Sequence, residues 1–173
     1  MIMTSPSFAD GAWLPFECTY ESENKSPCLS WSDVPAGVRS FALVCQDMDG
    51  PCGRPWTHWL LWNIEPTETR LRSGLPQYPR LDDGMEQGLN DYLEFGWGGP
   101  CPPVGQHEYV MTLYALDSVL APAAPTAPAV LAALSAHVLA TARLTAVYDA
   151  EGAPNALATL GRPARASCLC TGS

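Results

Sequence analysis

Three stretches of the chain are apolar almost without interruption: SFALVCQD from Ser40 to Asp47, HWLLWNI from His58 to Ile64, and YVMTLYALD from Tyr109 to Asp117. Each is short, rich in β-formers and bounded by Gly and Pro. That pattern predicts strands covered on both faces, not strands with one wet side. AWLPFECTY, Ala12 to Tyr20, predicts a weaker strand interrupted by Pro15. PAAPTAP, Pro122 to Pro128, reads as a stiff connector. It leads into AVLAALSAHVLATA, Ala129 to Ala142, whose Ala and Leu content predicts a helix with His137 packed on its apolar face. RLTAVYDA, Arg143 to Ala150, returns to a strand pattern. The polar loop Tyr78 to Asp91 is long enough to be functional or mobile.

The predicted organisation is one domain over residues 1–150, followed by an extension or tail over 151–173 without a strong period. With 17 Pro and 14 Gly, the chain has turns enough for many short strands. A formal charge of −9, with only nine Lys and Arg, argues against nucleic acid or an anionic membrane as partner. No run reaches transmembrane length, and the N-terminus lacks the basic start and apolar run of a signal peptide. Seven scattered Cys do not resemble a disulfide framework, so reduced thiols in a cytoplasmic protein are expected. The Cys168 and Cys170 pair is a weak metal or redox signal and reads as two idle thiols.

The polar residues that interrupt this pattern collect at strand ends. Asp47 closes the first run and opens DMDGP, His58 begins the second, and His107 stands just before the third. If the first two runs form an antiparallel hairpin, Asp47 and His58 meet at one end of a sheet. His107 joins them if the Asp47 strand lies in the middle. Strand alternation then puts His107, Tyr109 and Met111 on one face, and His58, Leu60 and Trp62 on one face of theirs.

Between the runs, GWGGPCPPVGQHEY (Gly96 to Tyr109) has a Gly and Pro density that fixes a backbone. Two His near two Asp admit two chemistries. One is a transition-metal site of the two-His, one-carboxylate kind. The other is an oxyanion site in which each His is oriented by a carboxylate behind it. The rigid loop favours the second, because backbone N–H groups freed from a ladder can face an anion. Cys101 precedes His107 by six residues, which brings a Cys–His nucleophile into view. A Cys flanked by Pro in a packed loop reads instead as structural.

Those same residues resemble the phosphatidylethanolamine-binding protein family, and within it the bacterial Raf-kinase-inhibitor-like branch. DMDGP followed by HW (Asp47, Asp49, Pro51, His58, Trp59) is similar to the family's D-P-D-x-P and H-W signature. GPCPPVG followed by HEY (Gly99 to Gly105, His107, Tyr109) is similar to its G-P-C-P-P-x-G and H-R-Y signature. ENKSPCLSW, GLND and SAHVLATARLTAVYD resemble flanking segments, so the similarity runs from about Ser7 to Asp149.

The resemblance implies a large antiparallel sheet packed with a smaller sheet, and a few peripheral helices. It implies a small pocket for phosphate-type, phospholipid head-group or carboxylate ligands, formed by Asp47, Asp49, Pro51, Trp56, His58, Gly99, Pro100, Cys101, Pro102, His107 and Tyr109. It further implies a non-enzymatic binding protein without cofactor, a homodimer, and a regulator of a protein kinase or protease. The alternative is a metal-dependent or lyase-type enzyme using the same His/Asp cluster. Two departures stand out: Met48 replaces the usual Pro, and Glu108 replaces the usual Arg.

Overall fold

The computed structural model describes residues 1–149, apart from the side chain of Cys52. The segment expected to form a tail, with its Cys168 and Cys170, lies outside the described residues. Among the described residues, nine strands and one α-helix follow in order: β1 (Ile2–Thr4), β2 (Ala12–Trp13), β3 (Leu29–Ser32), β4 (Ser40–Asp47), β5 (Trp56–Ile64), β6 (Arg70–Leu71), β7 (Glu86–Gln87), β8 (Gln106–Leu116), α1 (Ala127–Leu134) and β9 (Val138–Asp149). Six strands form one sheet in the order β2-β9-β8-β4-β5-β7, and β1, β3 and β6 form a small second sheet. Every pairing is antiparallel except β2 with β9.

The doubly apolar strands have a direct cause. One face of β4, β5 and β8 (Phe41, Leu43, Cys45, Trp59, Leu61, Met111, Leu113) packs with Met3, Leu29, Trp31 and Leu71 of the small sheet. The other face (Ala42, Val44, Leu60, Trp62) packs against Val130 and Leu134 of α1. Each fully buried large side chain removes about 1.5–3 kcal/mol of apolar surface from water, so neither face can turn polar cheaply. Among the described residues, no helix is long and apolar enough to cross a membrane.

Three local expectations change. The Ala-rich helix runs Ala127–Leu134, begins before Pro128 and ends well short of Ala142. Val138 to Ala142 instead belong to β9, which pairs with β8 along almost its whole length. Intrinsic helix preference is a weak prior, and the open edge of β8 overrides it. His137 is therefore not on a helix face. It lies in the turn before β9, half-exposed, with Nδ1 2.8 Å from Asp117 Oδ1. The weak strand from Ala12 shrinks to Ala12–Trp13, because Pro15 opens a 3-10 turn over Phe16–Cys18.

Candidate functional site

Asp47 is the last residue of β4. It stands opposite Trp56 on β5 and opposite Tyr109 on β8, so β4 lies in the middle and the three strands deliver their polar residues to one sheet end. The Asp47 carboxylate is buried and doubly engaged. Oδ2 accepts from His107 Nδ1 at 2.7 Å, and Oδ1 accepts the Asp49 N–H at 2.8 Å. The second nitrogen of His107 faces the Val104 carbonyl at 3.2 Å. The two partners hold the ring from both sides.

The DMD turn is tied to β8 by main chain. Met48 N–H donates to the Glu108 carbonyl at 3.1 Å, and Glu108 N–H donates to Asp49 Oδ2 at 3.1 Å. A Pro at position 48 has no N–H to give, so Met48 replaces a fixed φ by a hydrogen bond. Glu108 contributes through its backbone while its side chain lies exposed, so the reversal of charge there does not touch the turn.

His58 reaches the site by a distortion of β5. Gln46 pairs with Thr57 and Cys45 with Trp59, which leaves His58 as the extra residue of a β-bulge. Two adjacent side chains then point to the same side: His58 packs against Trp97 at 6.4 Å between centroids and Trp59 packs against the same ring at 5.7 Å. The expected face shared by His58, Leu60 and Trp62 is thus broken. Leu60 and Trp62 face α1, whereas His58 lies edge-on to Tyr109 at 5.1 Å.

Two backbone bonds and a carboxylate hold the bulge. His58 Nδ1 donates to the Gly98 carbonyl at 2.5 Å, and Gly98 N–H returns to the His58 carbonyl at 2.9 Å. Thr57 N–H donates to Asp91 Oδ2 at 2.6 Å. The His58 ring is only 2% exposed. Burial pushes its pKa below the ordinary value, against the pull of the Gly98 carbonyl and of Asp47 and Asp91. The ring is therefore neutral, with its proton on Nδ1.

The Gly/Pro loop acts as a buttress. Gly99 N–H donates to Asn24 Oδ1 at 2.7 Å, the Gly99 carbonyl accepts from the Tyr92 hydroxyl at 3.2 Å, and the Pro100 carbonyl accepts the Tyr20 N–H at 3.1 Å. A Cβ on Gly99 would lie 2.6 Å from the Thr19 carbonyl carbon. The N–H groups of Gly98 and Gly99 are thus engaged within the protein and are not the loop amides that could face an anion. The outward donors come from side chains instead.

Cys101 is in a disulfide, so its sulfur is no nucleophile and the expectation of seven reduced thiols fails. Cys18, Cys28 and Cys45 are free.

A cavity of about 210 Å³ opens between these elements. Of the residues expected from the sequence, Asp47, Asp49, Pro51, Trp56, His58, Cys101, His107 and Tyr109 line it, and Gly99, Pro100 and Pro102 do not. Tyr92, Pro103 and Val104 complete the wall. Tyr92 escaped the sequence reading. Its one signal is its place after GLND, whose Asn90 caps the turn and whose Asp91 clamps the bulge. The Tyr109 hydroxyl and the Trp56 indole N–H are buried without a partner among the described residues. Burial, chiefly, and then the Asp47 charge push the Tyr109 phenol far up, so it stays a donor. Among the described residues, no group of three or more His, Cys, Asp or Glu is arranged to hold a metal ion.

Residues 4–149 match the family model described as phosphatidylethanolamine-binding protein. A UPF0098 protein of Methanothermobacter thermautotrophicus is 44% identical over 150 residues, which is 86% of this chain and 98% of the relative. The Escherichia coli protein YbhB is 35% identical over 162 residues, covering 86% of this chain and all of YbhB. Among solved structures, Escherichia coli YbcL, described as a new member of the mammalian PEBP family, aligns with a TM-score of 0.78 at 35% identity. That alignment covers 86% of this chain and 97% of YbcL. A putative phosphatidylethanolamine-binding protein homologue from Chlamydia trachomatis aligns at 0.76 and 34% identity, over 85% of this chain and 95% of its own.

Proposed function

The chain belongs to the phosphatidylethanolamine-binding protein family, and from that premise we propose that its cavity binds one small oxyanion of the phosphate type without transforming it. The observation that carries this is the pair of buried, unpartnered donors, Tyr109 O–H and Trp56 N–H, on residues lining the cavity. Buried polar groups in folded proteins are almost always paired; Trp31 and Trp62 carry unpartnered indole N–H groups elsewhere, but here two such donors meet on one small cavity, which supports an acceptor there. The cavity is smaller than the roughly 300–1,000 Å³ of drug-sized sites, which suits one head group.

Binding fits the chemistry better than catalysis. Among the described residues, the one Cys on the wall, Cys101, is oxidised, and both nitrogens of His107 are held by Asp47 and Val104. Proton transfer needs a group within reach of substrate and free to change partner, and His107 is anchored on both sides.

A calorimetric titration with inorganic phosphate and phosphorylethanolamine tests the reading. Saturable binding that weakens in Tyr109→Phe is expected. No saturation up to millimolar ligand in the intact protein would overturn it. Tight stoichiometric zinc in place of anion binding would move the site to the metal-dependent alternative.

A further inference from the structure

A second cavity, of about 470 Å³, opens beside the small sheet and shares no lining residue with the first. β6 and the residue after it bring Arg70 and Arg72 to its wall. Leu71 between them is buried in the core and both Arg are exposed, as alternation along a strand requires. The Tyr78 to Asp91 loop brings Asp83 and Met85, and Glu68 and Leu75 stand on the wall from either side of β6. Hydrogen bonds fix both walls. Past β6, Gly74 N–H donates to the Ser26 carbonyl at 3.0 Å and Leu75 N–H to Ser26 Oγ at 2.9 Å. In the loop, Arg80 and Glu86 form an antiparallel bridge, Leu81 N–H donates to the Met85 carbonyl at 2.9 Å, and Asp83 Oδ1 accepts the Met85 N–H at 3.2 Å.

Charges of both signs thus share one cavity without pairing. Among the described residues, Arg70, Arg72, Glu68 and Asp83 enter no ion pair, and the one Lys or Arg that does is Lys25, with Glu23. Each guanidinium keeps its planar fork of donors for a carboxylate, and each carboxylate is an open acceptor for an ammonium. A ligand of one sign is attracted by two of these groups and repelled by the other two. A ligand with opposite charges at its two ends is attracted by all four. The volume falls within the roughly 300–1,000 Å³ of small-molecule sites. β6 is also the last strand of its sheet, so one of its main-chain edges has no partner strand and suits an extended backbone.

We propose that this second cavity binds a short zwitterionic peptide, about two or three residues long. Its C-terminal carboxylate lies on Arg70 and Arg72, and its N-terminal ammonium on Glu68 and Asp83. Small apolar side chains rest against Leu75 and Met85, and the peptide main chain has the open edge of β6 to pair with. The inference stands apart from the oxyanion reading, because the two cavities have no residue in common. All four charged residues are exposed, so each contact is modest and screened by salt. Loss of either charged end of the peptide weakens binding by about threefold.

The experiment is an NMR titration of the intact protein at low salt with trialanine, and with its two capped forms, N-acetyl-trialanine and trialanine amide. Saturable shifts are expected at the Arg70 and Arg72 Nε–H groups and at the Met85 methyl, with both capped forms about threefold or more weaker. Arg70→Gln and Arg72→Gln each weaken trialanine, and leave the unfolding midpoint and the phosphate titration unchanged because both side chains are exposed and off the first cavity. Glu68→Gln weakens trialanine but not N-acetyl-trialanine, which has no ammonium to lose. No saturation by trialanine at tens of millimolar, equal affinity for the capped forms, or full binding in both Arg variants would each overturn the proposal. Phosphate binding alongside any of those results would leave the oxyanion reading standing, and peptide binding without phosphate binding would leave this inference standing alone.

Discussion

His58 and Trp59 are neighbours in sequence, yet both rings pack against Trp97, at 6.4 and 5.7 Å between centroids. A regular strand would send them to opposite faces. The bulge at His58, opposite the step from Cys45 to Gln46 on the partner strand, removes the alternation at this one point. It lets β5 keep Trp59 in the core between the sheets while adding a polar ring beside it. The site is thus made by a local fault in register, stabilised from outside by Gly98 and Asp91.

Removal of that outer support separates the bulge from the ligand. Asp91 accepts the Thr57 N–H at 2.6 Å and is not on the cavity wall. Asp91→Ala is expected to cost about 1.5–3 kcal/mol of stability, the range for a hydrogen bond to a charged group. Phosphate affinity should fall with it although no ligand contact is lost. Urea unfolding and phosphate titration of the same sample measure both; unchanged affinity would show that the bulge holds without its clamp.

Gly98 tolerates no side chain. A Cβ there would lie 2.6 Å from Tyr92 Cδ2 and 2.8 Å from Asn90 Nδ2. Gly98→Ala is expected to displace the Tyr92 ring and the carbonyl that orients His58, at about 1–3 kcal/mol of overpacking cost. Loss of phosphate binding with a lowered unfolding midpoint is the expected pair of outcomes.

Stability should fall toward acid pH through His58. Its folded-state pKa lies below the ordinary 6.5, so the unfolded chain binds the proton more readily. The neutral ring therefore favours folding fully above pH 6.5, and this contribution is lost as pH falls from 6.5 toward the folded-state value. The slope contributed is at most about 1.4 kcal/mol per pH unit. A His58→Gln variant should show a flatter stability profile between pH 6.5 and 5 in chemical denaturation; an unchanged slope would contradict a neutral, buried ring.

The cysteines should separate by reactivity. Cys18 and Cys45 are buried, and burial pushes the Cys18 thiol up to about 12 and the Cys45 thiol higher still. Cys28 is free and only partly buried. Native alkylation followed by peptide mass spectrometry should mark Cys28 ahead of Cys18 and Cys45, and should mark Cys101 only after a reductant is added.

Glu108 offers a control. Its side chain is exposed, and its main chain makes both bonds to the DMD turn. Glu108→Ala should leave stability within about 0.5 kcal/mol and phosphate affinity within threefold. A larger loss would give the side chain a role that its exposure does not reveal.

What was legible in the sequence follows from locality. The long strands declare themselves because both of their faces are covered, so apolar residues need not alternate. The meeting of Asp47, Asp49, His58 and His107 at one sheet end follows from a short hairpin and a third strand beside it. The bulge is not visible, because an extra residue in a ladder is defined by its partner strand and not by its own composition. Ala-rich VLATA carries no mark that β8 would recruit it as a strand. The loop amides looked available because their acceptors, Asn24 and the His58 carbonyl, lie far off in the chain. Tyr92 stayed hidden because an aromatic in a polar loop has no period to read.

The main-chain tie between Met48, Asp49 and Glu108 separates two surfaces that share one rim. Met48 in the turn is 51% exposed and Val104 on the cavity wall 74% exposed, and the amides hold the turn regardless of which side chain stands at position 48. The outer lip can therefore be rewritten, residue by residue, to suit whatever macromolecule approaches it. The cavity wall underneath would keep its shape through each change, so the outer lip and the inner wall are free to evolve on separate schedules.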